Sequence, residues 1–329
     1  MRNASLQFML IRYILGSEIL KRLRPVCIIC CCFIFHLTGI SQQVTTRADT
    51  LTRRWLVAGA TSIGYGGTLV MLDRTWYSRE DRSSFHTFND SREWLQVDKF
   101  GHAWTAYVSA KANSEMWDWA GVPHKKAVLL GSATSLAFLT GVEVLDGFSR
   151  KWGWSWSDIG ANFFGIGLFT AQELGWGEQR IQYKFSFHRR SYREAMLNDR
   201  ADDLYGAGFN ERMLKDYNAQ TYWFSFNINS FTRTTTLPPW LNIAVGYGAT
   251  GMYGGFENKW TDKNGVSINR TDIPRTREFY LSPDIDFTKI PTRSKLLRTT
   301  FTLLNAFKFP APALLINNRG KLRGYLVYF

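Results

Sequence analysis

No cysteine occurs after residue 32. The four in the chain, Cys27, Cys30, Cys31 and Cys32, all fall within the first 41 residues. A chain trimmed at that point keeps no disulfide and no thiol chemistry. The motifs of common hydrolases and nucleotide enzymes are missing too. There is no HExxH, no GxSxG and no glycine-rich phosphate loop. Acidic residues are scarce in the second half: residues 180–329 hold 12 Asp+Glu against 22 Lys+Arg, a net +10, whereas residues 42–179 hold 14 against 13, a net −1. Such asymmetry points to two environments. A basic face serves anionic lipid, lipopolysaccharide-like surfaces or nucleic acid. Aromatic residues, by contrast, are abundant at 16%, with 13 Trp, which suits contact with a membrane interface.

Residues 1–41 read as a signal peptide. Lys21, Arg22 and Arg24 form its positive region, Val26 to Leu37 its apolar core, and Gly39 and Ser41 the small residues of a cleavage site. Met9 is an alternative start, and an uncleaved anchor is the competing reading. Neither Pro25-Val26 nor Ile28-Ile29 supplies the small residues a lipidated cysteine needs before it. The expectation is an exported, periplasmic, membrane-associated protein without a lipid on cysteine, and export excludes a nucleic-acid partner.

Three helical stretches follow between Asp98 and Leu174, after an apolar stretch at 55–72 whose Gly59, Gly64, Gly66 and Gly67 suit close helix packing. Asp98 and His102 are spaced i,i+4 at the start of the first helix. Glu143 and Asp146 lie i,i+3 at the end of the second. Asp158 and Asn162 lie i,i+4 at the start of the third. Residues at these spacings share a helix face. Short connections make successive helices antiparallel, so all six, with Lys99, are expected at one end of a bundle. Asp98 and Asp158 would also serve as plain helix caps. Capping does not explain Glu143 closing an uncharged run, or His102 one turn inside its helix. The nearest cations for Glu143 are Lys99 and His102. Pairing of Lys99 with Glu143 or Asp146, and of His102 with Asp158, would tie the helices together.

The pattern Asp98-Lys99-x-x-His102, Glu143, Asp158-x-x-x-Asn162-x-x-Gly165 resembles the VanZ-like membrane family. The wider stretch, including Glu143-Val144-Leu145-Asp146-Gly147 and Gly153-Trp154-Ser155-Trp156-Ser157-Asp158, more closely resembles the YfiM-like family of predicted periplasmic lipoproteins. That family has no established activity, and the resemblance covers about a quarter of the chain.

After Gly175 the period changes to two. Strands are expected at 181–188, 221–227, 241–248, 279–287, 297–307 and 322–329, with turn clusters such as Pro310-Ala311-Pro312 between them and a helix or long loop at 191–220. The fold class expected is α+β: a membrane-associated bundle of about four helices at 42–178, then a basic, aromatic-rich antiparallel sheet of about six strands at 179–329. A one-sided sheet is preferred over a small outer-membrane β-structure with a helical plug, because bacterial barrels start at eight strands. Two classes of function fit. A non-catalytic envelope protein would bind a membrane-lipid headgroup or envelope glycan through the cluster, or act as a scaffold. An enzyme would use His102, Glu143, Asp146 and Asp158 to hold a divalent metal, or Glu143 as general base with His102, on a lipid-linked or peptidoglycan precursor.

Overall fold

The structure, a computed structural model, describes residues 47–74, 82–192, 194–232 and 236–329. The stretch at 1–41 expected to be a signal peptide, with its cysteines, lies outside the described residues. Four long helices come first: α1 (Arg47–Leu72), α2 (Val97–Trp119), α3 (His124–Gly147) and α4 (Trp156–Trp176). Two helical stretches, Asp49–Leu72 and His124–Gly147, are long and apolar enough to cross a membrane.

The polar helix α2 is the inner one, packed between α3 and α4. Two glycines permit this. A Cβ on Gly131 would sit 2.4 Å from the Ser114 backbone nitrogen, and one on Gly165 would sit 2.0 Å from the Ala103 carbonyl oxygen. The glycines of α1 behave otherwise: Gly59, Gly64, Gly66 and Gly67 have nothing within 4 Å. The expectation that they mediate close packing is corrected. α1 docks instead through Tyr65, which stacks on Phe138 and hydrogen-bonds with Ser109 and Asn113, and through Leu69 against Gly141.

The second half is a six-stranded antiparallel sheet. Its strands are β1 (Ile181–Phe187), β2 (Gln220–Asn227), β3 (Leu241–Thr250), β6 (Thr276–Ile285), β7 (Ala311–Asn317) and β8 (Leu322–Tyr328), hydrogen-bonded in that order. A small hairpin, β4 (Lys259–Thr261) with β5 (Ser267–Asn269), stands apart. The charged stretch after β1 forms two helices, α5 (Ala195–Tyr205) and α6 (Phe209–Lys215), and a short α7 (Ile228–Thr232) follows β2. Two expected sheet elements need correction. Residues 297–307 are not a strand, because Lys295–Leu304 form helix α8. The Ser294 hydroxyl accepts from the Leu297 amide at its start, and Leu296, Leu297, Phe301 and Leu304 recur at helical spacing. The threonines between them mimic a strand by propensity alone. The missing strand is β7, hidden in the Pro310-Ala311-Pro312 cluster. Its register shifts between Ala311 and Ala313, which accommodates a proline that cannot donate to the ladder.

The sheet is not simply one-sided. The row Tyr183, Phe224, Val245, Leu281, Leu314 runs across one face, and the row Lys184, Trp223, Gly246, Tyr280, Leu315 across the other. On the second face Lys184, Ser225, Asn242, Asp284 and nearby Lys308 are buried. The sheet curls over them. The free edge of β1 meets the segment leading into β7, with Phe185 N donating to Ala306 O at 3.0 Å and Lys308 N donating to Phe185 O at 2.9 Å. On the apolar face, α2 covers the β1 side. Tyr107 and Phe169 of the bundle share one continuous core with Tyr183, Phe185, Tyr222 and Tyr247. Each such large side chain contributes about 1.5–3 kcal/mol on full burial, so bundle and sheet stabilise each other.

Candidate functional site

The cluster forms where the starts of α2 and α4 meet the end of α3. Three successive non-glycine residues with positive φ, Trp94 (48°), Leu95 (50°) and Gln96 (66°), lead into α2. A left-handed conformation costs roughly 1–2 kcal/mol per residue. Here it is held by Trp94 against Tyr205 and Tyr217, by Tyr247 donating to the Leu95 carbonyl and by Arg277 donating to Gln96. The turn delivers Asp98 and Lys99 to the bundle end.

Lys99 is the centre of the assembly. Its Nζ lies 2.5 Å from Asp90, 2.9 Å from Asp98 and 2.5 Å from Asp158. The carboxylates have further donors. The Tyr217 hydroxyl donates to Asp98 at 2.6 Å, and those of Ser155 and Ser157 donate to Asp90 at 2.6 and 2.5 Å. Capping is therefore not the role of the aspartates: Ser155 caps α4 by accepting from the Asp158 amide, and α2 has no side-chain cap.

His102 is held far more loosely. Nδ1 lies 3.5 Å from Glu143 Oε1, and Nε2 lies 3.6 Å from Asp158 Oδ1 and 4.0 Å from Asp98 Oδ1. At 26% its side chain is the most exposed of the cluster's ion-paired groups, while Glu143 is 1% exposed. Glu143 Oε1 and both amide atoms of Asn162 are buried without a hydrogen-bond partner among the described residues.

Electrostatics follow from these contacts. Burial opposes charge on Asp90, but hydrogen bonds from Lys99, Ser155 and Ser157 prevail and lower its pKa to about 2. Burial likewise opposes ionisation of Asp98, and His102 and Lys99 outweigh it, holding that pKa below its ordinary value. Burial also works against the His102 and Lys99 cations, yet the surrounding carboxylates raise both. Asp158 is pushed up to about 6 by burial, with the Asp98 charge adding to it. Burial, with Asp158 and Asp146 adding repulsion, takes Glu143 to about 8 despite His102.

The sequence-derived set thus divides. Asp98, Lys99, His102, Glu143 and Asp158 meet at one place, as their start–end–start placement implies. Asp146 is half-buried and acts on Glu143 through its charge. Asn162 is fully buried one turn beyond Asp158. The expected pairing of Lys99 with Glu143 or Asp146 is replaced by its three aspartates, because Asp90 and Asp158 reach the ammonium first. Sequence reasoning missed Asp90, Ser155, Ser157 and Tyr217. The Ser155-x-x-Asp158 spacing of a helix cap was a usable signal for Ser155. Asp90 in a loop and Tyr217, 119 residues from Asp98, gave none. His86 is a loop residue, its Nε2 lying 3.0 Å from the Trp152 carbonyl oxygen.

The match to known proteins falls on this stretch. Residues 87–172 match the family described as predicted periplasmic lipoprotein (DUF2279). The matched span includes every group of the cluster except Tyr217, and the family's description agrees with the exported, membrane-associated location expected from the sequence. No curated protein and no solved structure matches the chain.

Proposed function

We propose that the protein is a non-catalytic component of the bacterial cell envelope that binds a polar lipid headgroup against His102, Glu143 and Asp158. In this reading Lys99 ties the bundle end together and His102 is the receiving group. The observation that carries it is the contrast in distances. Lys99 is satisfied at 2.5–2.9 Å by three aspartates, whereas among the described residues His102 has no carboxylate nearer than 3.5 Å and Glu143 Oε1 has no hydrogen-bond partner. A headgroup with hydroxyl or ammonium donors and phosphate acceptors satisfies both sides. The likeness of the Asp98–Asn162 pattern to VanZ-like membrane proteins, and of the wider stretch to YfiM-like proteins, supports a site at the membrane side.

Calorimetric titration of the full chain with short-chain phosphatidylethanolamine and phosphatidylglycerol tests this. The wild type is expected to bind one of them, and His102→Ala to weaken that binding by about tenfold or more, as loss of a charge-assisted hydrogen bond implies. Equal binding by the two proteins would overturn it.

A divalent metal is the second reading. Asp98, His102 and Asp158 each offer a ligand atom, all within 4.8 Å of one another. Carboxylates and imidazole suit a hard or borderline ion. It ranks second because the Lys99 ammonium already neutralises the same aspartates. The acid–base enzyme ranks lower still: burial raises Glu143 to about 8, so it is mostly protonated at neutral pH and suits general-acid rather than the expected general-base work.

A further inference from the structure

We propose that the uncovered part of the sheet's apolar face, on β3, β6, β7 and β8, is a docking surface for a bilayer containing anionic lipid. The sheet is inside out relative to one built for water. Lys184, Ser225, Asn242 and Asp284 are 2% exposed or less, while on the opposite face Leu281, Leu314 and Ile316 are 49%, 54% and 51% exposed and Leu326 90%. A soluble sheet with one wet face puts its polar residues on that face. Here the polar row is enclosed and the apolar row is left outside.

The exposed side chains form one surface. Val245 lies opposite Leu281 and Leu281 opposite Leu314. Phe279 lies opposite Ile316 and Ile316 opposite Leu322. Ile243, Pro283, Pro312 and Leu326 line a shallow groove of about 600 Å³ beside them. Contiguous apolar area of this kind marks an interaction site. It continues from the strands that α2 covers, so the same row of residues serves the bundle at one end and an outside partner at the other.

Charge selects the partner. The turn between β7 and β8 carries Arg319 and Lys321, both exposed, at the border of Ile316 and Leu322. Neither takes part in an ion pair among the described residues. Basic residues at the rim of an apolar patch add affinity for anionic headgroups. The net +10 of residues 180–329 agrees in sign.

Co-sedimentation of the purified full chain with vesicles tests the proposal, comparing phosphatidylcholine alone with phosphatidylcholine plus phosphatidylglycerol. The wild type is expected to sediment preferentially with the anionic vesicles. Leu314→Gln combined with Leu326→Gln is expected to weaken sedimentation at least about tenfold, since two apolar side chains leave the lipid. Arg319→Gln with Lys321→Gln is expected to remove the preference for anionic vesicles while sparing the basal binding. Unchanged melting of each variant shows that the fold is intact, because all four positions are exposed. Sedimentation unaffected by the leucine changes overturns the proposal. So does a wild type that ignores vesicles and instead elutes as a dimer that the leucine changes dissolve, which assigns the face to a second copy. Leu314 and Leu326 lie on the sheet, away from the His102 cluster, so their double change is expected to leave the short-chain headgroup titration unchanged, and the two readings fail separately.

Discussion

Among the described residues, two of the buried charge networks have opposite compositions. At the bundle end, one lysine is shared by three aspartates, with a histidine and a glutamic acid beside them. Inside the sheet, one aspartate is shared by two lysines: Asp284 lies 2.9 Å from Lys184 and 3.6 Å from Lys308. The sheet network is closed. Ser225 donates to Asp284, Lys184 donates to the Ile285 carbonyl, and Lys308 donates to the carbonyls of Pro283 and Phe309. The bundle network is closed only around Lys99 and leaves His102, Glu143 and Asn162 short of partners. A buried charge that is fully bonded serves the fold. One that is left short carries a cost that the fold does not explain, and that cost is the mark of a site.

This contrast can be broken by substitution. The largest effect is expected at Asp284→Asn, which strands two enclosed ammonium groups and costs about 3–5 kcal/mol by the usual penalty for half a buried pair. Burial already depresses both lysines, Lys308 to about 8. Chemical denaturation measures the loss, and a change below about 1 kcal/mol would mean that the pair is not closed to water. Lys99→Met is expected to follow, at about 2–4 kcal/mol, because its partners are slightly more exposed and Asp158, already raised to about 6, can take up a proton. His102→Ala should cost less than about 1 kcal/mol in stability, as a loosely placed ion pair does. A loss there equal to that of Lys99→Met would erase the distinction between the two halves of the bundle cluster.

The pH dependence of stability reads the same contrast without a substitution. Glu143 holds its proton to about pH 8 in the folded chain against an ordinary 4.5, and Asp158 holds its own to about 6 against 3.8. The unfolded chain loses these protons first, so stability falls as pH rises from about 4 to about 8. His102, whose pKa is also raised, acts in the same direction above its ordinary 6.5. Asp90, lowered to about 2, acts oppositely and withdraws stability only as pH falls below its ordinary 3.8. Thermal melts from pH 4 to 8 should therefore decline, and Glu143→Gln should flatten the upper part of the decline. An unchanged slope in that variant would remove Glu143 as its source.

Much of this was legible in sequence. The helix positions of Asp98, Lys99, His102, Glu143 and Asp158 follow from spacing and chain reversal alone, because periodicity and short turns are local. Five of the six strands are local in the same sense. What was not legible is which cation meets which anion. Lys99 goes to Asp90 and Asp158 rather than Glu143 because a loop and a second helix arrive beside it, and tertiary arrival leaves no spacing in the chain. The sheet's inversion was half visible. Alternation marks two faces, but only the curl that brings Ala306 onto Phe185 decides that the polar one is enclosed. Helix α8 was misassigned because threonine favours strands locally, whereas its leucines follow a helical period.

The central claim is that the bundle cluster has a closed half at Lys99 and an open, protonated half at His102. The most direct test is an NMR titration of the His102 imidazole in the full chain, with and without short-chain phosphatidylethanolamine or phosphatidylglycerol. The account predicts a pKa above the ordinary histidine value and a change in the ring resonances when the preferred headgroup is added. An ordinary or depressed pKa with resonances indifferent to both headgroups would contradict it.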